Sequence, residues 1–157
     1  MNNEEKELEK QCKNWREEGC NIVFTNGCFD LLHQGHLDLL SKAAEYGNRL
    51  IVGLNSDKSV KILKGKDRPI QTQTIRKDEL IKLKYVDTVS IFDEETPLRI
   101  IGIIKPDFLV KGGDYKKNEI VGSSDMKKWG GSVKIIPLTY GYSTTKTIEK
   151  NKLEGLV

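Results

Sequence analysis

Short apolar runs alternate with helical spacings along the whole chain, and glycine or proline punctuates most of the changes. Residues 3–18 are dense in Glu and Lys but place Leu8, Cys12 and Trp15 on one helical face, which predicts an amphipathic helix stopped by Gly19. Continuous apolar runs predict buried strands at 21–25, 49–54, 88–92, 108–110 and 133–136. Between them, helical patterns predict helices over 34–46 and 74–83, and one opening at Thr96-Pro97 and ending before Pro106. A further helix is predicted over 120–129, ended by Gly130-Gly131, and the last begins at Ser143. Strands alternating with helices predict an α/β fold, a single Rossmann-like domain whose parallel five-stranded sheet is flanked by helices. Residues 1–20 form the outer helix of this plan and 21–157 the main domain. No G-x-G-x-x-G follows any strand, so no dinucleotide site is expected.

Two polar stretches interrupt the pattern. Residues 55–73 carry Asn55, Asp57, Lys64, Lys66 and Arg68 with little helical content expected, and they leave from the carboxyl end of a strand. Ligands bind beyond such ends in open parallel sheets. The other stretch is Thr25-Asn26-Gly27-Cys28-Phe29-Asp30-Leu31-Leu32-His33-Gln34-Gly35-His36, between a strand and a helix. A helix N-terminus offers unpaired N–H groups and a partial positive charge, which attract phosphate. Two histidines three apart add donors to the same anion, and Gly35 between them permits close approach.

A structural zinc site usually takes four ligands, whereas the chain has two histidines in all and three cysteines without CxxC spacing. Phosphate chemistry fits better, and no protein-held metal is expected. Cys28 lies in the turn, where a positive potential could lower its pKa; a small turn residue is expected there rather than a nucleophile.

Gly27-Cys28-Phe29-Asp30 with His33-Gln34-Gly35-His36 resembles the GxFDxxHxGH signature of the cytidylyltransferase-like nucleotidyltransferases. Gly141-Tyr142-Ser143-Thr144-Thr145-Lys146 resembles their second signature, and the two stand in the family's order. Within the family, Val52–Asp57, Leu63–Pro69 and Val110–Tyr115 resemble the adenylyltransferase domain of ADP-heptose synthases.

The resemblance implies attack by a sugar phosphate oxygen on the α-phosphate of ATP, expelling pyrophosphate. His33 and His36 would stabilise the α-phosphate as its charge builds, and Lys64, with Lys66 as alternate, would bridge the two substrates. Thr25, Asn26, Gly27, Cys28, Phe29, Gly35, Arg76, Lys111, Gly112 and Gly113 would line the nucleotide site. Tyr142, Ser143, Thr144, Thr145 and Lys146 would hold its outer phosphates from a second helix start. Asp30, Asn55, Asp57 and Asp114 would contact the sugar, or Asp30 and Asp57 would help with the metal, with Mg²⁺ accompanying the triphosphate and a homodimer as the assembly. The implied acceptor is D-glycero-D-manno-heptose 1-phosphate, supplied by a separate protein, since no kinase domain precedes this one. Lys146 argues for the alternative, a glycerol 3-phosphate cytidylyltransferase using CTP, because those enzymes carry lysine there. The arginine they place ahead of the Ser-Thr-Thr is absent from Leu138-Thr139-Tyr140-Gly141. A non-catalytic nucleotide-binding module is the third reading, and it leaves the two histidines without a purpose.

Bulk properties narrow the classes. At 157 residues, 37% hydrophobic and 31% charged, the chain has an ordinary globular composition, and a net charge of +3 without a dense basic block gives no footprint for nucleic acid. No apolar run approaches the ~18 residues of a membrane span, and the charged start is unlike a signal peptide. With an odd cysteine count, a reducing cytoplasm is the expected setting.

Overall fold

The computed structural model describes residues 1–113 and 115–137. Its first helix, α1 (Asn3–Glu17), starts at Asn2, whose side chain accepts the Glu5 N–H, and lays Leu8, Cys12 and Trp15 on the core. Five parallel strands follow: β1 (Ile22–Gly27), β2 (Arg49–Asn55), β3 (Thr88–Phe92), β4 (Phe108–Gly112) and β5 (Ser132–Ile136), in the order β3-β2-β1-β4-β5. The connecting helices are α2 (Gln34–Ala44), α3 (Asp57–Lys64), α4 (Gln73–Ile81), α5 (Leu98–Ile104) and α6 (Ser123–Met126).

Side chains alternate across a strand, and here the alternation makes two cores. Ile22, Phe24, Ile51, Phe92, Leu109 and Val133 pack with α1 and with Ile100, Ile101 and Ile104 of α5. Val23, Leu50, Val52, Leu54, Val89 and Val110 pack on the other face with Leu40 and Ala43 of α2 and Leu80 of α4. Burying each such side chain contributes about 1.5–3 kcal/mol. Gly53 faces the first core without a side chain because Phe24 fills its place: a Cβ there would lie 2.5 Å from Cζ of the ring.

The predicted fold class is the observed one, and the differences are local. Residues 55–73 hold a two-turn helix, α3, where little helix was expected. Ser56 caps it by accepting the Ser59 N–H, and Val60 anchors it in the core while Ile62 and Leu63 stay exposed. The single helix expected over 120–129 is divided into α6 and 3₁₀ turns at Lys117–Glu119 and Lys127–Trp129, with Gly122 at φ +90° ahead of α6. Pro97, not Thr96, occupies the cap position of α5, and no side-chain bond caps that helix. Lys111 and Gly112 continue β4, so the glycine turn begins only at Gly113, whose φ of +123° suits glycine.

From β1 the chain builds outward to β2 and β3; β4 then returns to the other side of β1. The divide lies between β1 and β4. In open parallel sheets, crevices for ligands form beyond the carboxyl ends of the strands at such a divide.

Candidate active site

The turn after β1 delivers His33 and His36 to the start of α2, with His33 as the cap residue. Each histidine accepts the other's backbone N–H on Nδ1, His36 N–H to His33 at 3.4 Å and His33 N–H to His36 at 3.3 Å. The rings stack, with centroids 3.8 Å apart and planes 17° from parallel. An Nδ1 that accepts a bond carries no proton, so the ring proton of each neutral imidazole sits on Nε2. Burial lowers the pKa of His33 and lowers that of His36 to about 4, helped for His36 by the positive charges of His33 and Lys64. At neutral pH the pair therefore presents N–H donors rather than charges, at a helix start that itself favours an anion.

The turn is strained. Phe29 and Leu31 have φ of +46° and +59°, a region bulky side chains avoid. Between them Asp30 is 0% exposed and accepts the N–H of Ile70 at 2.7 Å and of Gln71 at 2.9 Å, while Arg68 Nε lies 3.4 Å away. The Gln71 side chain returns a bond by accepting the Leu31 N–H. Phe29 is buried and sets its ring edge on His36. Both oxygens of Asp30, expected at the sugar, are engaged within the fold, and the carboxylate clamps the histidine turn to the segment after α3.

Arg76, expected at a phosphate, is likewise engaged within the fold. It is 0% exposed, and its guanidinium donates to the carbonyls of Gln71, Cys28 and Asn55 and to the Asp57 carboxylate, all at 2.7–3.0 Å. Four of its five N–H donors are used in this way, and the side chain ties the ends of β1 and β2 to the start of α4. Asp57, expected at the sugar, also accepts the Gln73 N–H, and Gln73 accepts the Asp57 N–H. Asn55 is buried and donates to Ser59 Oγ, which donates in turn to the Glu94 carbonyl. Nothing in the sequence marked Gln71 or Gln73, whose partners lie far away along the chain.

A cleft of about 460 Å³ opens beyond the strand ends, lined by Asn26, Gly27 and Cys28 of β1 and its turn, Asn55, and Leu63 and Lys64 of α3. Its far side is formed by Glu95, Thr96 and Pro97, by Lys111, and by Tyr115, Glu119, Ile120 and Val121. Lys64, not Lys66, is in its wall. Burial pushes the Cys28 thiol up although Lys64, Arg76 and Arg68 pull the other way. Lys111 is held below the ordinary lysine range, first by burial and also by the charge of Lys64. Thr25 is fully buried in β1, and Gly35 is buried in the first turn of α2. Gly112 ends β4, and the Gly113 N–H donates to the Ile136 carbonyl. Asp114, Tyr142, Ser143, Thr144, Thr145 and Lys146 lie outside the described residues, as does the expected last helix.

Among the described residues, no group of three or more His, Cys, Asp or Glu could hold a metal ion. No described helix is long and apolar enough to cross a membrane.

Relatives match this chain over most of its length. The protein named bifunctional protein HldE from Koribacter versatilis is 51% identical over 144 residues, 92% of this chain and 30% of its own length. The protein of that name from Nitrobacter winogradskyi is 49% identical over the same shares. The chain thus spans 30% of the length of these relatives. A crystal structure of the lipopolysaccharide core biosynthesis protein from Thermoplasma volcanium superposes with a TM-score of 0.63 at 29% identity, covering 77% of this chain and 98% of that one. The Cytidylyltransferase-like family model matches residues 24–150, a span that opens within β1 and takes in the histidine turn and every wall of the cleft. By that match, and by the relatives' identity along its length, the chain belongs to the cytidylyltransferase-like family.

Proposed function

We propose that this chain is a sugar-phosphate adenylyltransferase that transfers AMP from ATP to D-glycero-D-manno-heptose 1-phosphate. The observation that carries the reading is the pair of Nε2–H donors locked at the start of α2, at the divide of the sheet. A phosphate oxygen of the sugar 1-phosphate attacks the α-phosphorus; the bond to the bridging oxygen breaks, and pyrophosphate leaves with that electron pair. The products are ADP-heptose and pyrophosphate. Charge grows on the α-phosphate oxygens, and donors fixed in advance stabilise it without reorganising. His33 and His36 fill that role as neutral donors, and Lys64 supplies the positive charge between the two substrates. Cys28 remains a protonated wall residue.

Mg²⁺ would travel with the triphosphate, held by phosphate oxygens and water. Asp30 holds N–H donors on both oxygens, and Asp57 holds two on Oδ1. No step here runs through the ion. The heptose acceptor is supported by the runs around Lys64 and Lys111 and by the identity to the HldE proteins. A homodimer in the cytoplasm completes the proposal.

The test is pyrophosphate release by the purified protein with each of four nucleoside triphosphates against heptose 1-phosphate and glycerol 3-phosphate. Turnover confined to ATP and the heptose is expected. Turnover with CTP and glycerol 3-phosphate alone would replace this reading with the cytidylyltransferase one.

A further inference from the structure

We infer that Arg68, and not Arg76, is the arginine that binds a substrate phosphate at the histidine turn. The inference rests on the nucleotidyltransferase reading above and deepens it. The ligand is a phosphate oxygen of the nucleotide or of the acceptor, taken by the donors of Arg68 that the fold leaves unused.

Arg68 and Arg76 both stand beside the turn, and the fold treats them differently. Arg76 is 0% exposed and commits four of its five N–H donors to the carbonyls of Gln71, Cys28 and Asn55 and to Asp57, at 2.7–3.0 Å. The Arg68 side chain donates from Nε to Asp30 Oδ2 at 3.4 Å, beyond the usual range for an N–H donor. That side chain is only 16% exposed, and its Nη2 is buried with no hydrogen-bond partner among the described residues. Buried polar groups are nearly always paired, because a donor taken from water without a partner loses its hydration for nothing. A buried cation without full pairing is the more unfavourable case. Local rules are broken in this way at functional sites, and the partner Arg68 lacks in the fold is supplied by a ligand.

Position and charge say which ligand. The Arg68 N–H donates to the Gly65 carbonyl at 3.2 Å, and two residues on the Ile70 N–H donates to Asp30. The root of the Arg68 side chain is thus fixed against the turn that carries the histidines, at a helix start that favours an anion. Although burial dominates at the Cys28 thiol, the charge of Arg68 is felt there along with those of Lys64 and Arg76, and Cys28 lines the cleft. Arg68 can also turn toward a ligand without stranding Asp30. That carboxylate keeps the N–H groups of Ile70 and Gln71, at 2.7 and 2.9 Å, when the 3.4 Å contact is given up. A guanidinium is a planar fork of donors that matches two oxygens of one phosphate.

Arg68→Met and Arg76→Met, compared in urea melts and in pyrophosphate release, separate a ligand contact from a tie within the fold. Arg68→Met is expected to keep the wild-type urea midpoint, since the fold gives its guanidinium one long bond. It should lose kcat/KM about 10–100-fold, the worth of one hydrogen bond to a charged group. Arg68→Lys restores the charge but not the fork and should recover only part of the loss. The two KM values name the source of the phosphate: a rise for the triphosphate assigns it to the nucleotide, a rise for the ester to the acceptor, and a fall confined to kcat to the phosphate under attack. An Arg68→Met protein with wild-type kcat and KM values overturns the inference, as does one whose midpoint falls as far as that of Arg76→Met. Neither result touches the adenylyltransferase reading, which falls instead if the wild type uses only CTP and glycerol 3-phosphate; the Arg68 comparison then runs on that pair. If the wild type turns over no pair, inorganic pyrophosphate is titrated by calorimetry. Binding about tenfold weaker in Arg68→Met then upholds the inference, and binding that is absent or equal in the two proteins overturns it.

Discussion

Asp30 offers the sharpest test of how the site is held. Replacing it with Ala removes the buried carboxylate that accepts two partly buried N–H groups, those of Ile70 and Gln71. Each hydrogen bond to a carboxylate is worth about 1.5–3 kcal/mol, so losing the pair costs about 3–6 kcal/mol. The 3.4 Å contact with Arg68 adds little beside this. Since domains of this size are stable by about 5–15 kcal/mol, the loss is a large share of the total. With a urea slope of about 1–3 kcal/mol per molar, the unfolding midpoint should fall by roughly 1–3 M. The strained residues at 29 and 31 would lose the clamp that holds them, and the histidines follow directly in the chain. The variant should therefore also lose kcat by about a hundredfold or more at temperatures where it stays folded, since the fixed donors act in the transition state. Urea melts followed by circular dichroism, with pyrophosphate-release kinetics on the same samples, read both effects. A variant as stable as the wild type, with only its KM for the sugar phosphate raised, would refute the clamp and restore Asp30 as a ligand contact.

Other consequences can be checked alongside. His36→Ala should lower kcat about 10²–10³-fold with a smaller change in nucleotide affinity, and near-normal turnover would count against the donor pair. The folded-state pKa of His36 lies below its unfolded value of about 6.5. The unfolded chain therefore binds its proton first, and stability should fall as pH drops from about 6.5 toward 4. Urea midpoints across that range should decline less steeply in His36→Gln than in the wild type. Arg76→Met leaves three carbonyls and the Asp57 carboxylate without their donor and should destabilise by about 3–5 kcal/mol, as for a broken buried pair, visible in the urea midpoint. Gly53→Ala should cost about 1–3 kcal/mol through the clash with Phe24, and Phe24→Leu in the same chain should recover part of that loss in thermal melts.

The fold was legible because buried parallel strands are continuous apolar runs, and the runs at β1, β2 and β3 are long and cleanly bounded. The histidine turn was legible because the family signature it resembles places particular residue types at fixed spacing. Charged residues were harder to read. Asp30, Asp57 and Arg76 carry the chemistry of ligand contacts, and only the burial of Asp30 and Arg76 and the distant N–H and C=O partners of all three show how they are tied within the fold. Glu5 is another case: it looks like any solvent-facing residue of α1, yet it is buried and binds Arg99 at the start of α5. Helix α3 escaped notice because one apolar residue, Val60, carries its packing. The cleft's rim was invisible for a different reason: Glu95, Tyr115 and Glu119 follow separate strands, and no short pattern links them.

The place of β4 beside β1 also bears on the order in which the protein is made. Phe24 pairs with Ile51 on one side and with Leu109 on the other. A growing chain that has passed β3 can already assemble the histidine turn, the Asp30 clamp and half of the sheet. It has no Lys111 and no Tyr115, and the pairing of β4 on β1 that supplies them closes a long loop, the kind of step that is slow in folding. A chain that stalls before Phe108 thus holds the histidine turn and its clamp but lacks part of the cleft wall.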